Sequence, residues 1–266
     1  LIKGHWPRKR FGQHFLVDPH YIARIVDAID PRPGDNIVEI GPGLGALTGA
    51  LFERAGRVAA IEIDRDLAAR LRDRFDSDRL ALNETDALTF DFATLGDRLR
   101  VAGNLPYNIG SPLLFHLASF DAQLRDVHVM LQREVVARMT AAPGTPDYGR
   151  LTVMLQTRFA VSRLFTVPAG AFRPAPKVES AVARLVPLGE SRPAIVDEAL
   201  FARVVSAAFG QRRKTLRNAL SSIADEATLR NAGIDPGARG EALAVADFVR
   251  LANMLARHSI AGGTPQ

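Results

Sequence analysis

The run Asn104-Leu-Pro-Tyr107 puts three chemically useful groups into four residues. Asn104 offers a short side-chain acceptor, Pro106 fixes the backbone so that the Leu105 carbonyl can stay exposed, and Tyr107 offers a flat face for a base. An exocyclic amine such as adenine N6 has its lone pair delocalised into the ring. Two acceptors that grip its hydrogens favour a more tetrahedral, nucleophilic nitrogen and aim it at an electrophile. A structural turn with a packed tyrosine is the competing reading. It does not explain why the run shares a chain with a glycine turn and two spaced carboxylates.

That turn lies in Val38-Glu-Ile-Gly-Pro-Gly-Leu-Gly-Ala-Leu-Thr48. Ile37, Val38 and Ile40 read as a buried strand, Gly41, Gly43 and Gly45 as a tight turn against a ligand, and Leu47, Leu51 and Phe52 as the face of a following helix. A second strand, Arg57 to Ile61, leads to Glu62. This acid lies about twenty residues beyond the turn, where a carboxylate can accept from both hydroxyls of a ribose. A third strand, Arg79 to Leu82, leads to Asp86, which is suited either to an adenine amine or to capping the segment that starts near Leu88. Nicotinamide, flavin and S-adenosylmethionine all fit these glycines, although Glu39 and the Gly-x-Gly-x-Gly spacing tilt toward the last.

The elements that must position these groups follow from periodicity. Asp18-Pro19 starts a helix to Ile29 that buries Ile22, Ile25, Val26 and Ile29, and the apolar strand Leu99 to Ala102 delivers Asn104. Ahead of the first helix, Gln13 and His14 sit between Phe11 and Phe15, either against a ligand or in a plain loop. Further helices are expected over Pro112 to Leu117, around Val135 to Met139 and over Arg150 to Phe159, with a turn over 141–149. Strands are expected at Val127 to Leu131, around Val161 to Val167 and at Ser180 to Val186. Beyond Pro187 the pattern becomes helical near Val196 to Phe209, Arg212 to Ser222, Glu226 to Ala232 and Val245 to His258. This places a boundary between a 1–188 domain and a 189–266 domain.

Composition narrows the class. The chain has 266 residues, 47% of them hydrophobic, with no cysteine and six scattered histidines. Nothing in it suggests a disulfide framework, a thiolate zinc site, another metal, a secretory segment or a membrane span, so a soluble cytoplasmic protein is expected. The net charge of +5 is unevenly placed. Arg8, Lys9 and Arg10 crowd the amino-terminal arm, and Arg212, Arg213, Lys214 and Arg217 form a second cluster whose helix would bury Leu216 and Leu220. Either run alone suits a solvated surface; together they favour a polyanionic partner.

Taken jointly, the motifs resemble the KsgA/RsmA family of ribosomal small-subunit RNA adenine N6,N6-dimethyltransferases. The resemblance rests on Phe11-Gly-Gln-His-Phe-Leu16, Glu39-Ile-Gly-Pro-Gly-Leu-Gly45, Asn104-Leu-Pro-Tyr107 and Ala171-Phe-Arg-Pro-Ala-Pro-Lys-Val-Glu-Ser180, and covers nearly the whole chain. It implies a Rossmann-like class I methyltransferase fold, an α/β domain with a mixed seven-stranded sheet, plus a small C-terminal helical domain that recognises RNA. It further implies S-adenosylmethionine held by His14, Leu16, Gly41, Glu62, Asp86 and Asn104, with His14 standing where the family usually has asparagine. Asn104, the Leu105 carbonyl and Tyr107 would form the platform for the target base, and Phe172 would stack on its other side.

The implied activity is dimethylation of two adjacent adenosines near the 3′ end of 16S ribosomal RNA in the immature small subunit, by a monomer. Three alternatives stand beside it. A nicotinamide oxidoreductase shares only the first half of the fold. A large-subunit RNA dimethyltransferase of the antibiotic-resistance type shares the base chemistry. A noncatalytic RNA-binding relative would be expected to have lost the Asn104 motif, which is intact.

Overall fold

The computed structural model describes residues 13–211 and 213–261. The chain falls into two compact units, one holding the chain up to Val136 together with Ala160–Pro187, the other holding Ala137–Phe159 and the chain from Leu188 onward.

In the first unit, β1 (Phe15–Leu16) precedes α1 (Pro19–Ile29), whose start is fixed by Pro19 and by the Asp18 carboxylate accepting from the His20 amide at 2.9 Å. Two strand–helix repeats follow, β2 (Asn36–Ile40) with α2 (Ala46–Ala55) and β3 (Val58–Glu62) with α3 (Arg65–Arg74), and then the strand β4 (Leu80–Glu84). Next come β5 (Leu99–Asn104), α4 (Gly110–Ala118), β6 (Leu124–Gln132) and α5 (Arg133–Met139), which carries the chain into the second unit. After α6 (Arg150–Gln156), β7 (Phe159–Val167), the two-residue β8 (Phe172–Arg173) and β9 (Ser180–Pro187) complete the strands.

The seven-stranded sheet has the order β4-β3-β2-β5-β6-β9-β7. Strands β4, β3, β2, β5 and β6 pair in parallel, whereas β9 runs antiparallel to β6, so the sheet is mixed. The succession reverses direction beside β2, since β3 and β4 extend to one side and β5 and β6 to the other. Such a reversal opens a crevice at the carboxyl ends of parallel strands. Register makes those ends coincide: Ile40 lies opposite both Ile61 and Gly103, and Glu62 opposite Glu84. Separately, β1 pairs antiparallel with β8, matching Phe15 to Arg173 and Leu16 to Phe172.

The core of the first unit joins Ile25, Val26 and Ile29 of α1 to Leu51 and Phe52 of α2 and to the strands Ile37, Val58 and Ala102. Burial follows the apolar spacing that defines these helices. The second unit has its own core, in which α7 (Glu198–Gly210), α8 (Leu216–Ala219), α9 (Glu226–Asn231) and α10 (Val245–Ala261) surround Phe201, Leu229, Phe248 and Leu251.

Three boundaries differ from expectation. Residues 137–159 group with the helical unit rather than with an unbroken 1–188 block, because Tyr148 and Val153 are buried against Phe201 and its neighbours. Helix α6 stops at Gln156, and Phe159 already begins a strand. The helix expected over 212–222 is reduced to Leu216–Ala219, because the Leu216 and Arg217 amides donate to the Ala238 and Pro236 carbonyls and not to a preceding helical turn. Leu216 and Leu220 are nonetheless fully buried.

Candidate active site

The glycine turn forms because three residues in it take left-handed backbone angles, with φ of 67° at Gly41, 59° at Gly43 and 75° at Gly45. A side chain at Gly43 would also meet the Phe15 ring at 3.1 Å, so the turn packs directly against β1, which His14 precedes. The Gly41 amide donates to the Ile61 carbonyl at 2.9 Å. Glu62 then locks the loop, its Oε2 accepting from the Gly43 amide at 3.1 Å and its Oε1 from the Asp64 amide at 2.9 Å. Burial raises the Glu62 carboxyl above its usual range, and these backbone donors pull it partly back. Each oxygen keeps a lone pair for a ligand hydroxyl. Beside it, Ile63 is 46% exposed and turns an apolar face to the same cavity.

Glu39 lies deeper. It is fully buried, accepts from the Thr48 hydroxyl at 2.6 Å, and is pushed up to about 7 by burial, with the nearby Glu62 charge adding to the rise. Asp86 lines the cavity and also caps its own loop, its Oδ1 accepting from the Leu88 amide at 2.9 Å. The capping and binding readings of this residue are therefore compatible, each using a different oxygen.

At the end of β5 the Asn104 Nδ2 donates to the His14 backbone carbonyl at 2.8 Å, which fixes the amide and leaves its Oδ1 as the acceptor to be presented. Gly103 lets β5 lie close against β2 just before it, since a Cβ there would lie 2.6 Å from the Ile40 carbonyl oxygen. The Leu105 amide donates to the Met130 carbonyl at 3.1 Å, holding the next peptide against β6. Tyr107 is half-buried, its hydroxyl 2.7 Å from the Ser180 hydroxyl, and burial raises its phenol. The His14 ring stacks on the Tyr107 ring with centroids 5.6 Å apart and planes at 28°, while its Nδ1 donates to the Pro174 carbonyl at 2.8 Å.

The cavity thus brings together His14, Leu16, Gly41, Gly43, Glu62, Asp86, Asn104, Leu105 and Tyr107, all within the first unit. Gly45 sits just behind, at the cap of α2. Phe172 departs from expectation. It is fully buried in the core beside Leu16, Ile25 and Val182 and does not line the cavity, because pairing of β8 with β1 turns its side chain inward. The ring facing Tyr107 is His14.

Sequence reasoning passed over His128, which lines the cavity floor at 2% exposure. Its Nδ1 lies 3.6 Å from Asp126 Oδ1, too far for a hydrogen bond, and burial drives its imidazole down to about 4, so the ring is neutral. The signal was a histidine inside the apolar strand run. Ser180 was also missed as the partner of Tyr107, although it closes the quoted 171–180 motif. Among the described residues no cluster of acidic and histidine side chains converges as a metal site, and no helix is long and apolar enough to cross a membrane.

Of the basic residues, Arg213, Lys214 and Arg217 are exposed in the second unit, with Arg217 3.5 Å from Glu226. Arg8, Lys9, Arg10 and Arg212 lie outside the described residues.

The family model described as ribosomal RNA adenine dimethylase matches residues 4–257. A relative in Aromatoleum aromaticum, named ribosomal RNA small subunit methyltransferase A, is 62% identical over 97% of each chain. One of the same name in Thiobacillus denitrificans is 58% identical over 95% of this chain and 99% of its own. Among solved structures, a dimethyladenosine transferase from Plasmodium falciparum superposes with a TM-score of 0.80 at 25% identity, covering 94% of this chain and 98% of that one. The 23S rRNA methyltransferase ErmE gives 0.67 at 29% identity, covering 91% and 99%.

Proposed function

The chain belongs to the ribosomal RNA adenine dimethylase family, and from that premise we propose that it dimethylates N6 of two adjacent adenosines in the 3′-terminal hairpin of 16S ribosomal RNA, on the immature small subunit. It is an S-adenosylmethionine-dependent ribosomal RNA adenine methyltransferase. The observation that carries the site assignment is the Asn104 amide, anchored through Nδ2 so that Oδ1 is left to receive an N6 hydrogen.

The donor set fits the cofactor. Glu62 is a buried carboxylate with spare lone pairs for ribose hydroxyls, Ile63 gives an apolar face for a purine, and Asp86 has an oxygen free for an adenine amine. When bound, S-adenosylmethionine supplies an electrophilic sulfonium methyl.

The protein's own contribution is alignment. Asn104 Oδ1 and the Leu105 carbonyl take the two N6 hydrogens of the flipped adenine, drawing its lone pair out of the ring, while Tyr107 supports the base face. Ser180 holds the tyrosine through its hydroxyl. No strongly basic residue is required to remove the N6 proton beforehand, since it leaves during or after transfer. Each adenosine undergoes two such transfers, and in the second only one N6 hydrogen remains, so only one of the two acceptors receives it.

In the helical unit, the exposed Arg213 and Lys214 suit RNA phosphates, and Arg217 less so because Glu226 faces it. Replacing Arg213 and Lys214 by glutamine is expected to weaken small-subunit binding severalfold at low salt and to flatten its salt dependence. An unchanged salt slope would remove them from the interface.

The test of the activity itself is incubation with labelled S-adenosylmethionine and undermethylated small subunits, followed by nucleoside analysis and position mapping. Dimethyladenosine at the paired 3′-terminal sites is expected. Label only in large-subunit RNA would overturn the small-subunit assignment.

A further inference from the structure

A site that methylates one nitrogen twice must make room for its own intermediate. After the first transfer N6 carries a methyl and a single hydrogen, and the second attack requires that methyl to lie off the donor side, along a direction that a hydrogen held before. A hydrogen bond sets N6 about 2.9 Å from its acceptor oxygen. A methyl carbon alone needs about 3.3 Å to such an oxygen. One of the two acceptor directions must therefore give way to apolar space.

That space cannot come from the Asn104 amide, which the His14 carbonyl clamps at 2.8 Å. It comes from the neighbouring strands. Met130 of β6 lies directly opposite Asn104, and Val182 of β9 directly opposite Met130, so the three side chains share one face of the sheet. Met130 and Val182 line the cavity, as does Ile25 of α1, and all three belong to the core of the first unit. His128, two residues before Met130 on the same face, closes the floor with an imidazole that burial keeps neutral. The wall beside Asn104 is thus uncharged.

Met130 suits this wall by its type. An unbranched thioether chain can change rotamer and reshape its surface, whereas the β-branched Val182 behind it is stiff. The Met130 carbonyl accepts from the Leu105 amide at 3.1 Å, so the backbone stays tied while the side chain adjusts.

We propose that the Met130 side chain walls a recess beside Asn104 that receives the first N6-methyl, leaving the remaining hydrogen to the Leu105 carbonyl so that the second transfer can proceed. This deepens the dimethyltransferase reading above and rests on it. In the second transfer the N6 lone pair forms the bond to the new methyl carbon, the carbon–sulfur electron pair stays on sulfur, and the last N6 hydrogen leaves to water as a proton. Met130 is then a specificity-determining residue that sets how many methyls are added.

Met130→Phe fills the recess with a rigid ring. Single-turnover reactions on undermethylated small subunits at saturating S-adenosylmethionine, with N6-methyladenosine and N6,N6-dimethyladenosine separated over time, give the two rates. The second transfer is expected to slow about tenfold relative to the first, so that monomethyladenosine accumulates. Met130→Leu, close to methionine in volume, is expected to keep the ratio within about twofold. Val182→Ile adds one carbon behind Met130; it is expected to lower the ratio in the same direction and serves if the phenylalanine protein folds poorly. A merely structural role would slow both transfers alike. That outcome, or an unaltered ratio in the folded phenylalanine and isoleucine variants, would overturn the recess. Absence of dimethyladenosine from the unmodified enzyme's products would instead defeat the reading on which the inference rests.

Discussion

The two ends of the parallel strands bury charge in opposite ways. At the amino-terminal ends of β5 and β6, Arg100 donates to Asp126 at 2.8 Å and to Asp35 at 2.7 Å, with Arg125 closing on Asp35 at 2.7 Å from outside. Burial alone would raise the Asp35 carboxyl, but the Arg100 and Arg32 hydrogen bonds and the two arginine charges outweigh it and hold it below its usual range. At the carboxyl-terminal ends, Glu39 and Glu62 have no cationic partner among the described residues and are held by a hydroxyl and backbone amides, with both carboxyls raised. The paired end closes on itself. The unpaired end keeps acceptor capacity for a ligand, at a cost in stability.

Breaking the paired end should have the largest effect. Arg100→Met leaves Asp126 and Asp35 buried without their common partner, and a loss of about 3–5 kcal/mol in unfolding free energy is expected. Urea titration measures it. Methyl transfer by the folded fraction should be nearly normal, because Arg100 stands away from the cavity; a variant as stable as the unmodified protein would show that the network contributes nothing net.

At the unpaired end, acidity becomes visible as pH dependence. The folded Glu39 carboxyl titrates at about 7 against 4.5 in the unfolded chain. A group raised in this way binds its proton more tightly when folded, so its stabilisation is full below pH 4.5 and is lost as pH rises toward 7. The loss is on the order of 3 kcal/mol across that window. Glu39→Gln keeps an acceptor for Thr48 and should flatten the decline between pH 5 and pH 7.5, as read from urea midpoints. Equal slopes in the two proteins would place the titration elsewhere.

Asn104→Ala tests what the open end does. Its chemical step should slow roughly a hundredfold, or about 3 kcal/mol, as for loss of one preorganised polar contact in a closed site. RNA binding should largely survive. Single-turnover kinetics at saturating S-adenosylmethionine isolates the step, and an unaltered rate in a folded protein that binds both substrates rules out the N6 alignment.

The contrast between the two ends was only half legible in the sequence. Gly41, Glu62, Asp86 and Asn104 each follow or end an apolar run, so parallel pairing was enough to bring them together at one end of the sheet. Motif spacing encodes that directly. The Arg100, Asp35 and Asp126 network was not readable, because residues 26 and 65 positions apart meet only through sheet order and register. Phe172 failed for a related reason: a motif supplies a residue type, but the direction of its ring depends on a two-residue strand pairing with β1. His14 was read either as held against a ligand or as a plain loop residue, because its stack on Tyr107 and its bond to the Pro174 carbonyl require the segment before β1 to meet the loops after β5 and β8. The helical tail shows the same limit, since local apolar spacing called for a longer helix than the 236–238 backbone permits.

Glu62→Ala should give the smallest of these effects and separates ligand capacity from loop support. The carboxylate braces the glycine turn through Gly43 and Asp64, and the second task proposed for it is to offer lone pairs to ribose hydroxyls. Removing it should weaken S-adenosylmethionine binding at least tenfold, about 1.4 kcal/mol. Because the buried carboxyl is itself raised and unpaired, stability should change little or even improve at pH 7.5, the reverse of the Arg100 result. Glu62→Gln divides the two tasks further: its amide oxygen can still accept from one turn amide, while its amide nitrogen cannot accept from a hydroxyl. Calorimetric titration of both variants is the measurement. If alanine and glutamine bind the cofactor as tightly as the unmodified protein, Glu62 is a brace for the turn, and the open end of the sheet takes its ligand through other residues.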